Sequence, residues 1–179
     1  MPYLNPYFRH QPYLKLSFIL LLAISSHQAS AHNGELSLLK DGVIKDEQQQ
    51  LLWQACPWGQ TWQDSQCKGS RQALDWTEAM RLSNEQTNQT DWRLPTQPEL
   101  KNFLKAAASQ AKINSWYRYL IKTEPGEQPN FYWSSTIGNG YQTGAWGIQA
   151  DTQSGHFYFR STPGWVLMVK QTLEKTPKL

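Results

Sequence analysis

The sequence predicts an α+β domain, with antiparallel strands gathered before and after a pair of helices, and three observations predict it. Period-two alternation marks the beginning and end of the domain, two capped amphipathic helical patterns occupy its middle, and the strand-like runs are joined by Gly- or Pro-containing turns. Strands that cluster in this way argue against a parallel α/β sheet, in which strands and helices alternate.

Taken in order, residues 1–31 read as an export signal. Arg9 and Lys15 supply positive charge, Leu16 to Ile24 is almost wholly apolar, and Ala29-Ser30-Ala31 is a small-x-small cleavage site. Cleavage there starts the mature chain at His32; the alternative is an uncleaved N-terminal anchor. The apolar run falls short of the roughly 20 residues of a stable membrane span, and no later segment approaches that length. The expectation is a soluble extracytoplasmic protein: periplasmic, secreted or at the cell surface.

Residues 32–38 read as a linker and 39–171 as the domain. Asp41-Gly42 is a turn signal, and Val43 to Trp53 reads as a strand, a polar turn through Asp46 to Gln50, and a second strand, Leu51-Leu52-Trp53. Asp75 then N-caps a helix, with Glu78 at the reciprocal capping-box position and Trp76, Ala79, Met80 and Ser83 as its inner stripe. That helix fades in Asn84 to Thr90, a polar run typical of a loop. Thr96 caps the second helix, with Glu99 three residues on and Leu100, Phe103, Leu104 and Ala107 at helical spacing. From Tyr132 the chain turns to a meander: Tyr132 to Thr136, Ala145 to Ala150, Gly155 to Ser161 and Trp165 to Lys170, with Asp151 to Gly155 as a hairpin connection. Residues 172–179 form a short charged tail.

Removing Arg9 and Lys15 from the 17 basic residues leaves 15 against 14 acidic ones, so the alkaline balance largely belongs to the leader. The remaining lysines and arginines are scattered, which leaves no electrostatic footprint for nucleic acid. All nine tryptophans lie beyond the leader and give an unusually aromatic core, or in part a ligand surface. Cys56 and Cys67 bracket a turn-rich segment of an exported chain, and a disulfide is the natural assignment. A redox or metal pair is the weaker alternative, because the spacing is not CxxC and only His32 and His156 remain as imidazole ligands. No cofactor or metal is implied.

Several motifs occur together: Asp41-Gly42 with Leu52-Trp53-Gln54; Cys56-Pro57-Trp58-Gly59-Gln60-Thr61-Trp62; the helix opening at Trp76; Asp91-Trp92-Arg93-Leu94-Pro95-Thr96 with Glu99-Leu100; Tyr132-Trp133-Ser134-Ser135; and Ala145-Trp146. In this order they resemble the Lcl C-terminal domain family, a bacterial secreted or surface module, over about residues 39 to 170. The resemblance implies a C-type-lectin-like fold, two helices packed on a twisted antiparallel sheet with long ligand-presenting loops. It also implies binding of sulfated glycans, the property associated with the adhesin that gave the family its name. The closing strand departs from the family, which carries arginines there, because Val166 to Lys170 has only a terminal lysine.

Trp92, Leu94 and Pro95 are expected to pack where the second helix begins, and Arg93 to tie a loop carbonyl or carboxylate with its planar fork. Trp133 reads as an inward anchor and Ser134 as a hydrogen-bonding side chain, since no G-x-S-x-G elbow surrounds it. Gln128-Pro129-Asn130 is superficially like the sugar-coordinating tripeptide of calcium-dependent lectins but lacks the neighbouring Trp-Asn-Asp, so calcium is not expected. Alternation along the third meander strand puts Phe157 and Phe159 on one face, read as core, and His156, Tyr158 and Arg160 on the other, read as solvent-facing. These last three are the candidate ligand-binding residues, set against an ordinary amphipathic hairpin. The functional expectation is a non-catalytic lectin-like module for a glycan or surface polymer. Its rival is a protein-binding accessory of a cell-envelope complex.

Overall fold

Ile44 and Trp53 alternate with Lys45 and Leu52 along the opening hairpin, and this alternation builds the first sheet. The computed structural model describes residues 36–111, 115–121, 129–138 and 143–172. The export signal, residues 32–35 of the linker, Gln128 and residues 173–179 lie outside the described residues. Strands β1 (Leu36–Leu38), β2 (Val43–Asp46), β3 (Leu51–Gln54), then β4 (Thr61–Gln63) and β5 (Gln66–Lys68), precede the helices. β1 was read as linker, yet it pairs antiparallel with β2, Leu36 opposite Asp46. Its anchor is non-local: the Tyr117 hydroxyl donates to the Leu36 carbonyl at 2.8 Å, and Leu36 is buried. β4 and β5 form a separate two-stranded hairpin, turned at Asp64 and Ser65, both with positive φ (51° and 60°). The Cys56–Cys67 disulfide fastens this hairpin to the first sheet, with 5.5 Å between Cα atoms.

Helix α1 runs Trp76–Thr90 and α2 runs Gln97–Gln110. The Asp75 side chain accepts from the Glu78 amide, whereas the Glu78 carboxylate turns to Arg81 instead of completing the box. The polar run Asn84 to Thr90 is helix, not loop. It faces water, Arg81 pairs with Glu78 and Glu85 along it, and the Thr87 hydroxyl bonds back to the Ser83 carbonyl at 2.8 Å. Asp91, left-handed at φ 61°, ends it by donating its N–H to the Thr87 carbonyl. α2 carries the full capping box between Thr96 and Glu99, and buries Leu100, Phe103, Leu104 and Ala107. A third, unpredicted helix, α3 (Ser115–Ile121), packs on α2 and supplies Tyr117 and Leu120 to the core.

Strands β6 (Phe131–Ile137), β7 (Gly144–Gln149) and β8 (Gly155–Phe159) form an antiparallel meander. The last strand, β9 (Val169–Gln171), leaves it to pair with β3, so the first sheet has the order β1-β2-β3-β9. Trp165 joins the meander through a parallel bridge at Tyr132, its amide donating to the Phe131 carbonyl and its carbonyl accepting from the Trp133 amide. The class is therefore α+β, two long helices on antiparallel sheets, with three sheets in place of one continuous sheet. One core cluster lies between the first sheet and α2, where Trp53 stacks on Phe103 with ring centroids 4.1 Å apart. The second gathers Ala79 and Leu82 of α1 with Trp92, Leu94, Phe131, Trp133 and Met168.

The meander's sidedness reverses the sequence expectation. Phe157 and Phe159 are exposed (38% and 69%), while Tyr158 packs inward on the second cluster. The reason is the partner supplied from across β7: Phe131 of β6 stacks on Tyr158 at 3.8 Å with planes 6° apart, and side-chain-free Gly147 of β7 lies beneath both rings. On the opposite face the Phe157 ring lies over Gly138 and Gly144 and meets Trp146 edge-on.

Candidate functional site

The candidate trio, His156 and Tyr158 on β8 and Arg160 just after it, does not assemble into one open surface. Tyr158 is half-buried in the aromatic stack, and burial pushes its phenol above the ordinary value against the opposing Gln149 hydrogen bond, with the Asp151 charge adding to the rise. Arg160 lays its guanidinium 4.3 Å from the Trp76 ring centroid and donates to the Gly144 carbonyl, which ties β8 to α1. His156 alone is exposed, its Nε2 2.9 Å from the Ser154 hydroxyl.

The two aromatic motifs meet. The Pro95 carbonyl accepts from the Ser135 amide at 2.8 Å and from its hydroxyl at 3.2 Å, and Thr136 Oγ1 accepts from the Gln97 amide. Trp133 Nε1 donates to the Leu74 carbonyl, Trp76 Nε1 to that of Ser134, and the Ser134 hydroxyl to that of Trp146. Leu94 is buried, its amide bonded to the Ser83 hydroxyl at 2.7 Å. These bonds lock α1, α2 and the meander around the second cluster.

Arg93 sits where this frame joins the first sheet. Its amide and carbonyl both bond to Val169, which adds the Trp92–Leu94 segment to the outer edge of β9. Its guanidinium forms a bidentate pair with Glu99 at 2.7 and 2.9 Å. Burial pushes the Glu99 carboxyl up, but hydrogen bonds from Arg93 and the Thr96 amide together outweigh it and hold the group below its ordinary value.

A cleft of about 740 Å³ opens beside this pair, at the end of the first sheet's second face. Register creates its floor. Lys45, Leu52 and Lys170 are cross-strand partners on β2, β3 and β9, so their side chains stand in one row. Gln50, Gln171 and Thr172 form one wall, Asp91 and Arg93 the other. The wall at Gln50 is fixed by Thr172, whose amide (3.1 Å) and hydroxyl (2.8 Å) both donate to the Gln50 carbonyl, while Gln50 itself adopts a left-handed φ of 54°. Lys170 Nζ lies 4.7 Å from the centroid of the buried Trp92 ring. The sequence drew attention to Leu52, Arg93 and Lys170 singly; Lys45, Gln50, Gln171 and Thr172 carried no motif, and only strand pairing brings them together.

Among the described residues no group of three or more His, Cys, Asp and Glu side chains is placed to hold a metal ion, and no helix is long and apolar enough to cross a membrane. Residues 42–170 match the Lcl C-terminal domain family, and the chain belongs to that family. No curated protein matches the chain.

Proposed function

We propose that this member of the Lcl C-terminal domain family is an extracytoplasmic, non-catalytic binding module, lectin-like in arrangement, that recognises a glycan or other surface polymer in the cleft beside Lys170. The observation that carries the reading is the make-up of that cleft. Its volume of about 740 Å³ is that of a small-ligand site, and it combines one apolar floor residue, Leu52, with a rim of amides, a hydroxyl and charged groups. A saccharide unit presents an apolar ring face and several hydroxyls, and it needs that combination. The Cys56–Cys67 disulfide supports a place outside the reducing cytoplasm, and it occupies both thiols of the chain.

The test is a glycan array probed with the purified oxidised protein, followed by Lys170→Ala and Thr172→Ala. Specific saccharide binding weakened about tenfold or more by Lys170→Ala is expected, the effect of one charge-assisted hydrogen bond of roughly 1.5–3 kcal/mol. Binding that survives both substitutions would remove the cleft from the proposal.

A second reading, contact with an envelope protein, is favoured by the apolar end of the meander. Ile137 and Phe159 are 53% and 69% exposed on neighbouring parts of one sheet, a placement suited to a protein partner more than to water. Capture of an envelope protein that is lost on Phe159→Ser, from a chain without glycan affinity, would make this the better reading.

A further inference from the structure

The charge and donor inventory of the cleft narrows its ligand. We propose, resting on the saccharide reading above, that the cleft selects a sparsely charged sugar segment, hydroxyl-rich and bearing one carboxylate per occupied site, and discriminates against densely sulfated chains.

Three cations line the cleft, but two are already neutralised. Lys45 pairs with Glu47 at 2.5 Å, and Arg93 is held bidentate by Glu99. Lys170 is the one lining cation without an anionic partner among the described residues; its ammonium rests on the Trp92 face, an arrangement that orients the charge without cancelling it. Asp91, on the opposite wall, repels further negative charge. Counting Glu47 and Glu99 with Asp91, the site holds three negative groups against three positive ones.

Hydrogen-bonding capacity points the same way. The Gln50 side-chain amide gives one N–H to the Glu47 carbonyl at 2.7 Å and the Thr172 hydroxyl its proton to the Gln50 carbonyl, so Gln50 Oε1, Thr172 Oγ1 and the Asp91 carboxylate stand as acceptors beside the Gln171 amide. Acceptors pair with sugar hydroxyls, which donate. Sulfate oxygens only accept, so a sulfated segment would leave these acceptors unpaired and bring several negative charges to a site with one uncompensated cation. One carboxylate on Lys170, with hydroxyls against the remaining rim, satisfies both inventories.

The experiment is titration calorimetry of the full chain with three oligosaccharides of equal length: a hyaluronan tetrasaccharide, with one carboxylate per disaccharide, neutral chitotetraose, and a heparin tetrasaccharide. The expected order is hyaluronan about tenfold tighter than chitotetraose, with heparin no tighter than hyaluronan. Affinity for the hyaluronan fragment should fall only about three- to fourfold between 50 and 200 mM salt, as one neutralised charge requires. Lys170→Met, which keeps the stem on Trp92, should abolish the preference over chitotetraose with an unchanged circular dichroism spectrum. Tightest binding by heparin with a steep salt dependence would overturn the inference and leave the saccharide reading standing, as would equal binding of the charged and neutral fragments. No binding of any fragment by folded protein would overturn both.

Discussion

Substituting Gly147 by alanine tests the reversed sidedness of the meander. A Cβ at Gly147 would lie 2.5 Å from Phe131 Cδ2 and 3.0 Å from Tyr158 Cδ2. Phe131 is 2% exposed and wedged edge-on against Trp133 with ring centroids 4.9 Å apart, so neither ring can retreat without repacking the second cluster. Overpacking costs about 1–3 kcal/mol and loss of the stacked pair about 0.5–1.5 kcal/mol, so a total of roughly 2–4 kcal/mol is expected. For a domain of this size that lowers Tm by roughly 5–15 °C. Gly144→Ala is the informative comparison, because its nominal clash is shorter, 2.1 Å to Phe157 Cε1, yet involves a ring that is 38% exposed and has water to rotate into. It should cost about 1 kcal/mol or less. Urea denaturation of both variants decides the matter. If Gly144→Ala proves as damaging as Gly147→Ala, Phe157 is the anchored ring and the inward assignment of Tyr158 is wrong.

Removing the disulfide by Cys56→Ser with Cys67→Ser should lower stability by about 3 kcal/mol, the loop-closure entropy of so short a loop, measured by thermal denaturation against the oxidised chain; an unchanged Tm would show that the β4–β5 hairpin is held by packing alone. Glu99→Gln should destabilise by roughly 1–3 kcal/mol at pH 7, since it strips the carboxylate from Arg93 and from the Thr96 amide. Because the Glu99 carboxyl is held below its ordinary value of 4.5, its contribution is present in full above that value and is lost as pH falls through the lower folded one. The stability gap between wild type and Glu99→Gln should therefore shrink between pH 5 and pH 3 in urea titrations; a constant gap would mean the ion pair contributes nothing.

Local signals were readable where the physics is local. Thr96 with Glu99, Asp75, the spacing of Leu100, Phe103, Leu104 and Ala107, and the opening hairpin all declare themselves within a few residues. The failures share a cause. β1 is ordered by Tyr117, 81 residues away. β9 leaves the meander because β3 offers it an edge, and nothing in Val169-Lys170-Gln171 says which edge a strand will take. The facing of β8 depended on which side carried a stacking partner, and Phe against Tyr is too small a difference in hydrophobicity to outvote Phe131 and a glycine. Asn84 to Thr90 misled because a polar run lacks the apolar stripe by which helices are recognised, although capping and i,i+4 pairs sustain one that faces water.

The cleft was illegible for the same reason, yet it grows out of the most legible motif in the chain. Lys45, Leu52 and Lys170 come from distant strands, and register alone sets them in a row. What gives the row its character is the Trp92-Arg93-Leu94-Pro95-Thr96 segment laid along β9. Trp92, anchored in the second cluster, is the plane on which Lys170 rests, and Arg93 would be a further free cation were it not for Glu99. Glu99 is at that position because the capping box of α2 requires it, so one carboxylate closes the helix start and cancels a charge in the cleft at once. The structural motif and the proposed binding surface are thus not alternatives. A change made to the helix cap alters the charge the cleft presents, and Glu99→Gln should accordingly add one effective cation to the site and steepen the salt dependence of any anionic ligand it holds.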